Sequence, residues 1–322
     1  LGGLALQMDN SLEIGDWIQV GDTAGRVADI HHLLPLHRAI CLLAAASLAL
    51  ASPACIGSVA AVPAAVASQW RLDVRQGSDG SQNFRIDPEL RCSGSGQASA
   101  RGIADLSNQL QAVRKADEPL WIIDLRQESH GFWNGEAVSW HGPNNAANAG
   151  KDAPAVEADE TARLQAVLGH ESRSIPMGTS DTASGMQPFT ALVRTATTER
   201  QEACRSGYGY VRIAATDMQW PEPQAIDAFL TFYRSLTPDS GWLHFHCHAG
   251  QGRTTTFMAL YEMLRFPGRS LDNVLAHQRA LGGADLAIPG SRYDSLKLFH
   301  QYVQENYAAG FTDLWSSWLA RH

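Results

Sequence analysis

The order of apolar and polar positions divides the 322-residue chain into stretches of different character. Near the start, Ile14-Gly15-Asp16-Trp17-Ile18-Gln19-Val20-Gly21-Asp22 and then Gly25-Arg26-Val27 alternate apolar and polar residues around glycine turns, which predicts a short β-hairpin. Ala39–Leu50 is an unbroken apolar run with no amphipathic face. From Ser68 onward the pattern is mixed. Ile103, Leu106, Leu110 and Val113 recur at helical spacing, and Leu120–Leu125 reads as a strand. Tyr210–Ile213 and Trp242–His246 also read as strands. Pro221–Leu236 reads as a helix with Ile226, Phe229, Leu230 and Tyr233 on one face and Pro221 near its first turn. Thr254–Arg265, ended by Pro267, is a second such helix, followed by Leu271–Leu281 and Arg292–Tyr307. Strands alternating with helices predict an α/β fold, a central sheet flanked by helices. Lys151–Arg205 is polar, rich in Ala and Thr and without a strong period; it is expected to supply short strands of a small β-rich subdomain. No internal repeat is visible.

Three segments follow from this pattern: 1–32, 33–67 and a main domain, 68–322. The first resembles the soluble β-domain of small-conductance mechanosensitive channels. No apolar run of about 20 residues precedes it, so no channel is implied. With Leu as its first residue, it is expected to be a start-site or fusion artefact. In the second, His37-Arg38 precedes the apolar run, and Ala-x-Ala-type sites end near Ala54 or Ala67. That is the order of a signal peptide with a start near Leu33, a buried helix being the alternative. A periplasmic or secreted protein is expected, with no stable membrane insertion in its mature form. Cys55, preceded by Pro53-Ala54, makes a poor lipoprotein site.

Composition adds exclusions. At 44% hydrophobic and 18% charged, the chain is ordinary for a globular protein. Its formal net charge of -8 argues against broad binding of nucleic acid or anionic membranes. A locally basic pocket for a small anionic substrate remains compatible with it. Five cysteines are too few for a disulfide scaffold, and no Cys/His spacing fits zinc, so no metal or other cofactor is expected.

The chemistry concentrates in His246-Cys247-His248-Ala249-Gly250-Gln251-Gly252-Arg253-Thr254, a Cys-x5-Arg loop between a predicted strand and helix. A phosphoryl group spreads charge over its oxygens and needs a ring of donors. Backbone N–H groups of Cys247 to Gly252 at a helix N-terminus would supply them. Gly250 and Gly252 permit the tight turns, and Arg253 adds a planar two-pronged donor. Cys247 is the candidate nucleophile. A free thiol is mostly protonated at neutral pH, and the helix dipole, loop amides and Arg253 favour its anion. Thr254 can donate to the sulfur and help it leave. Thr216-Asp217-Met218-Gln219-Trp220-Pro221 lies upstream between a strand and a helix. Asp217 is the candidate general acid and base, with Trp220-Pro221 as loop anchor. The plainer alternative is an N-cap for the following helix.

With these residues the chain, from Asn83 to His322, resembles the protein-tyrosine-phosphatase-like phytases, the cysteine phytases of bacteria. The resemblance rests on Asn83-Phe84-Arg85, Ser93-Gly94-Ser95-Gly96-Gln97 and Asp124-Leu125-Arg126-Gln127-Glu128-Ser129-His130-Gly131. It continues through the Asp217 loop, the Cys247 loop, Gly282-Gly283 and Trp315-Ser316-Ser317-Trp318-Leu319. It implies a tyrosine-phosphatase-like fold with a small β-barrel-like addition, built partly from 151–205. It also implies metal-free, stepwise removal of phosphates from myo-inositol hexakisphosphate through a phosphocysteine on Cys247. His248, Ala249, Gly250, Gln251 and Gly252 would line the phosphate, with Arg85 and Asp124 near the pocket and Gln278 positioning water. For these last three, a surface charge, a strand-end hydrogen bond and a solvated helix residue are the alternatives. Arg126 and His130 are candidates to pin the supporting loop, and Tyr293 and Lys297 to line the rim. Three departures bear on substrate choice. Met218 stands where members commonly have His, His248 where Glu is frequent, and Ala284–Arg292 holds no lysine.

Two other classes compete. One is a protein phosphotyrosine phosphatase using the same loop; the other is a non-catalytic inositol-phosphate or phosphoprotein binder. Retention of Cys247, Arg253 and Asp217 together argues for an enzyme. Cys92 and Cys204 either pair or stand as independent thiols. Oligomeric state and the order of phosphate removal are not encoded in any visible motif.

Overall fold

The computed structural model describes residues 69–74, 77–78, 82–142, 145–175 and 189–322, together with two short strands, 17–20 and 23–26. The expected N-terminal hairpin is formed by β1 (Trp17–Val20) and β2 (Thr23–Arg26), paired antiparallel. The signal-like segment 33–67 lies outside the described residues.

The main body follows as β3 (Gln69–Leu72), β4 (Arg85–Asp87), β5 (Cys92–Ser95), α1 (Ala100–Gln109), β6 (Leu120–Arg126), β7 (His130–Trp133) and β8 (Glu136–His141). Next come α2 (Ala153–Val167), β9 (Glu171–Arg173), β10 (Thr190–Leu192), β11 (Ala196–Thr197), α3 (Glu199–Arg205) and β12 (Gly209–Ala215). The last elements are α4 (Pro223–Ser235), β13 (Trp242–His246), α5 (Gly252–Arg265), α6 (Leu271–Ala280), α7 (Ser291–Asn306) and α8 (Trp315–Leu319).

The central sheet has the order β12-β6-β13-β5-β4, parallel except for the antiparallel edge strand β4. β13 and β6 are buried along almost their whole length, as expected for strands covered on both faces. One face packs on α4, α5, α6, α7 and α8 through a large apolar core that includes Ile123, Leu125, Phe229, Phe245, Phe257 and Leu260. The other meets α1 and α3 through Ile103, Leu106, Ile122 and Ala203. Residues 253–264 of α5 are all buried, which explains why that helix shows no polar stripe. The parallel strands all end on one edge, where crevices for ligands form in open α/β sheets.

A second sheet, β11-β7-β8-β3, is antiparallel. Its core holds Trp70 between Trp133 and Trp140, with ring centroids 5.2 and 5.6 Å apart. The stretch 151–205 supplies the short strands β9, β10 and β11, in keeping with the partial contribution expected of it. Only β11 of this sheet comes from that stretch; β3, β7 and β8 come from elsewhere, and β9 pairs separately with β10. Ala153–Val167 is instead a helix, capped by Asp152 and with Pro154 in its first turn. Its buried stripe is Val156, Glu160, Leu164, so a carboxylate in the middle breaks the apolar period. Gly131 lets α2 approach β7, since a Cβ there would lie 2.7 Å from a Leu164 methyl. Two boundaries also move. The helix expected from Pro221 begins at Pro223, because Thr216 to Trp220 are held as a loop, and Val113 lies beyond the end of α1.

Candidate active site

β13 brings His246 level with Asp124 on β6 and Ser95 on β5, and the chain then turns sharply into α5. Cys247 sits in that turn as a buried free thiol. Its Sγ accepts from the Gly250 N–H at 3.3 Å and from Thr254 Oγ1 at 3.1 Å. Donors of this kind, at the start of a helix, stabilise a thiolate relative to a thiol. Gly250 has φ of +75°, and a Cβ there would fall 2.3 Å from the Gly96 nitrogen, so a side chain has no room.

The loop is braced from β4 and β5. Arg85 donates through Nη1 to the Gly250 carbonyl at 2.7 Å and through Nη2 to Thr255 Oγ1 at 3.1 Å. Asn83 Nδ2 donates to the Ala249 carbonyl at 2.8 Å, and the Gln97 N–H to the His248 carbonyl at 2.9 Å. The Gln251 carbonyl accepts from Thr255 N–H at 2.9 Å as α5 begins at Gly252.

Arg253 is fully buried. Its Nη1 and Nη2 meet Glu128 Oε2 and Oε1 at 2.7 and 2.8 Å, a two-pronged pair that fixes the plane of the guanidinium. Nη1 also donates to the Ala215 carbonyl at 3.1 Å, and Nη2 lies 3.0 Å from Asp217 Oδ2. Nε is buried without a hydrogen-bond partner among the described residues. A buried donor of that kind is costly unless something binds it, and it suits a phosphoryl oxygen. Burial alone would raise the Glu128 carboxyl; Arg253 and Arg126 outweigh it and hold Glu128 well below the usual carboxylate range.

Asp217 stands on the loop between β12 and α4, with 23% of its side chain exposed. Thr216, beside it, is pinned by Oγ1 donating to Gln127 Oε1 at 2.6 Å and by contact with Glu222. Met218 follows in the left-handed region, φ +60°, and is largely exposed. The fold therefore places Cys247, Thr254, Arg253 and Asp217 together. Arg292, at the start of α7, donates to the Gln219 carbonyl at 3.2 Å and presses against Gly252, bridging the acid loop to the cysteine loop.

Three residues expected beside substrate take supporting positions here. Arg85 spends both Nη groups behind the loop, as above. Asp124 is fully buried, accepting from Tyr210 Oη at 2.6 Å and from the Arg126 N–H at 2.9 Å. Gln278 is buried between α6 and α5 and donates to Glu262 Oε2 at 2.7 Å. The physical reason is shared: each lies on the core-facing side of its element, where a polar group needs a protein partner. The His248 ring lies 3.4 Å from Asp73 Oδ1, and burial shifts it below its ordinary pKa. Arg126 joins Asp73 and Gln97 at 2.7 and 2.6 Å, while His130 contacts Glu199 at 2.9 Å. Lys297 lies over the Tyr293 ring at 4.9 Å and pairs with Asp294 at the surface. Cys92 is a buried free thiol and Cys204 an exposed one, so they do not pair.

Sequence reasoning did not single out Glu128, Asn145 or Arg292. Glu128 stood inside the quoted Asp124–Gly131 string, which was its only signal. Among the described residues, two groups have metal-ligating atoms within 4.8 Å of one another: Asp87, Glu262, His277, and Asp124, Glu199, His246. In each, protein cations already answer the carboxylates. Arg269 meets Glu262 at 2.5 Å; His246 meets Glu199 at 2.9 Å and Arg212 meets Asp124 at 3.3 Å. The donor sets thus fit internal charge pairing.

Comparison with known proteins matches this geometry. Residues 123–265 match the PTP-like phytase family model, described by inositol hexakisphosphate, and residues 1–34 match the β-domain of mechanosensitive ion channels. The effector protein hopD2 of Pseudomonas syringae pv. tomato is 28% identical over 66% of this chain and 49% of its own length. A PTP-like myo-inositol phosphatase from Mitsuokella multacida, solved with myo-inositol-(1,3,4,5)-tetrakisphosphate, is 31% identical with a TM-score of 0.70, covering 87% of this chain and 52% of that one. A PTP-like phytase from Bdellovibrio bacteriovorus is 27% identical with a TM-score of 0.67, covering 80% of this chain and 96% of that one. The chain therefore spans about half the length of the first two proteins. The Cys247 loop, the Asp217 loop and the Asp124–Gly131 string all fall inside residues 123–265, the part of the chain that matches the protein-tyrosine-phosphatase-like phytase family.

Proposed function

We propose that this protein hydrolyses phosphate monoesters of myo-inositol hexakisphosphate and lower inositol phosphates through a phosphocysteine intermediate. The observation that carries the reading is the Cys247 sulfur, which receives Gly250 N–H and Thr254 Oγ1, at the opposite end of the same loop from an Arg253 locked by Glu128. The Mitsuokella protein, solved with an inositol tetrakisphosphate, supports the substrate class.

In the first step the Cys247 thiolate attacks phosphorus and the P–O bond to the inositol carbon's oxygen breaks. Asp217 gives its proton to the departing alkoxide. Arg253 holds the equatorial oxygens through Nε and Nη2, the latter exchanging Asp217 for phosphate. In the second step Asp217, now a carboxylate, takes a proton from water. That water attacks phosphorus, the S–P bond breaks, and the Thr254 hydroxyl stabilises the returning thiolate.

The test is phosphate release from inositol hexakisphosphate, alongside a phosphotyrosine peptide, by wild type and Cys247→Ser. Faster turnover of the inositol substrate and loss of release in the variant are expected. Preference for the peptide would move the substrate class to phosphotyrosine, and rapid release by Cys247→Ser would end the mechanism. Export is part of the same proposal, supported by the Ala39–Leu50 run. N-terminal sequencing of the mature protein tests it.

A further inference from the structure

We infer that Asn145 is a positioning residue that holds the Asp217 carboxyl in place for proton transfer, so that the small β-sheet subdomain reaches into the chemistry. The inference rests on Asp217 being the acid of the proposed reaction and assigns a role to a residue outside both loops.

Asn145 follows β8 and is 9% exposed. Its Nδ2 donates to Asp217 Oδ2 and to Glu128 Oε1, each at 2.9 Å. Its Oδ1 accepts from Arg71 Nη2 at 3.4 Å. These contacts determine which way the amide faces. A flipped carboxamide would set its oxygen against two carboxylates and its NH2 against a guanidinium, losing every hydrogen bond. Arg71 is itself fixed on β3, donating to Ser139 Oγ at 3.3 Å and lying 3.1 Å from His141 Nδ1. The backbone of Asn145 is left-handed, φ +56°, a conformation asparagine tolerates better than most residues.

Asp217 has two side-chain donors on Oδ2, Arg253 and Asn145. When a phosphoryl oxygen takes Arg253 Nη2, Asn145 remains to keep Oδ2 at the mouth of the site, leaving Oδ1 toward the leaving group once it parts from the Met218 N–H. Asn145 also shares Glu128 Oε1 with Arg253. Acid and phosphate anchor are thereby set from one amide.

The experiment uses leaving groups of different need for a proton. Inositol hexakisphosphate releases an alkoxide and requires the acid; p-nitrophenyl phosphate releases a stable phenolate and does not. Asn145→Ala is expected to lower kcat on the inositol substrate about tenfold or more, and on p-nitrophenyl phosphate by less than about threefold. Asn145→Ser, smaller in volume change, is measured beside it, with thermal melting of both, so that a misfolded alanine variant is recognised. Equal loss on both substrates by a folded variant, or no loss on either, overturns the inference. Asp217→Asn is the control: if it too loses equally on both substrates, the assignment of Asp217 as acid fails first and the role of Asn145 with it.

Discussion

The proposed attack by Cys247 requires its loop to keep one shape, and Gly250 is where that shape is least negotiable. Gly250→Ala would drive a methyl into the Ser95–Gly96 backbone and force φ of +75° on a residue that resists it. Phosphatase activity is expected to fall by orders of magnitude while most of the fold persists, measured by turnover beside circular dichroism. Glu128 is a different kind of dependence. Glu128→Ala takes a shared carboxylate from two buried guanidiniums, Arg253 and Arg126, and the expected destabilisation is about 3–5 kcal/mol by denaturant unfolding. At this scale the contiguous residues were legible. Cys247, Arg253 and Thr254 share one loop, and Asp217 precedes a helix with its own short signature. Asn145 and the role of Glu128 were not, because each is defined by a partner far along the chain: Asn145 by Asp217, Glu128 by Arg253. Arg85, Asp124 and Gln278 show the converse. Residue type and motif position suggested a pocket, while the side of the element they occupy turned them inward.

Among the elements, β6, β12, β13, α4, α6 and α7 were readable, and so was α5 despite its lack of a polar stripe. α2 was not, since Glu160 occupies the middle of its buried stripe and is needed there to meet Arg212 Nη1 at 2.9 Å and the His130 N–H at 2.9 Å. A small β-rich part was expected, but which strands form its sheet was hidden, because they are drawn from both sides of β6 in sequence and only assemble in space. α8 is short, five residues, and is held by packing rather than by its own hydrogen bonds. Trp318 stacks 5.4 Å from Trp315, meets Tyr302 at 5.7 Å and donates through Nε1 to Glu305 at 2.7 Å. Trp318→Ala is expected to cost about 3–5 kcal/mol, read as a lower midpoint of thermal or denaturant unfolding. Because these contacts of Trp318 are with α7 and α8, the folded fraction should keep its turnover.

For the whole molecule, pH is the sharpest lever, and the sign follows from the buried groups. Burial, with neighbouring cations, shifts His244 down to about 3 and His141 down to about 4, and burial also lowers His248. An unfolded chain protonates these rings near 6.5, so between that value and the depressed ones it binds more protons than the folded chain. Stability should therefore fall as pH drops below about 6.5. Asp73, Glu128 and Glu199 are held well below the usual carboxylate range despite burial, by Arg126, by Arg253 and by His246 respectively. Their contribution is present above the ordinary carboxylate values and is lost as pH falls through the folded ones, steepening the acid limb. His246 is raised, chiefly by Glu199 against burial, and opposes the trend by favouring the folded form until pH climbs past its folded value. Thermal midpoints across pH 4 to 8 should rise toward neutrality; a flat profile would contradict this charge assignment.

The insertion of β13 between β5 and β6 has one more consequence. Both flanking strands leave the ribosome long before it does, and in the folded sheet they are joined only through it. The strand that closes the gap also leads directly into Cys247, the proposed nucleophile. A chain interrupted before that point has neither the native sheet nor the proposed nucleophile, so completion of the architecture and onset of the proposed reactivity coincide.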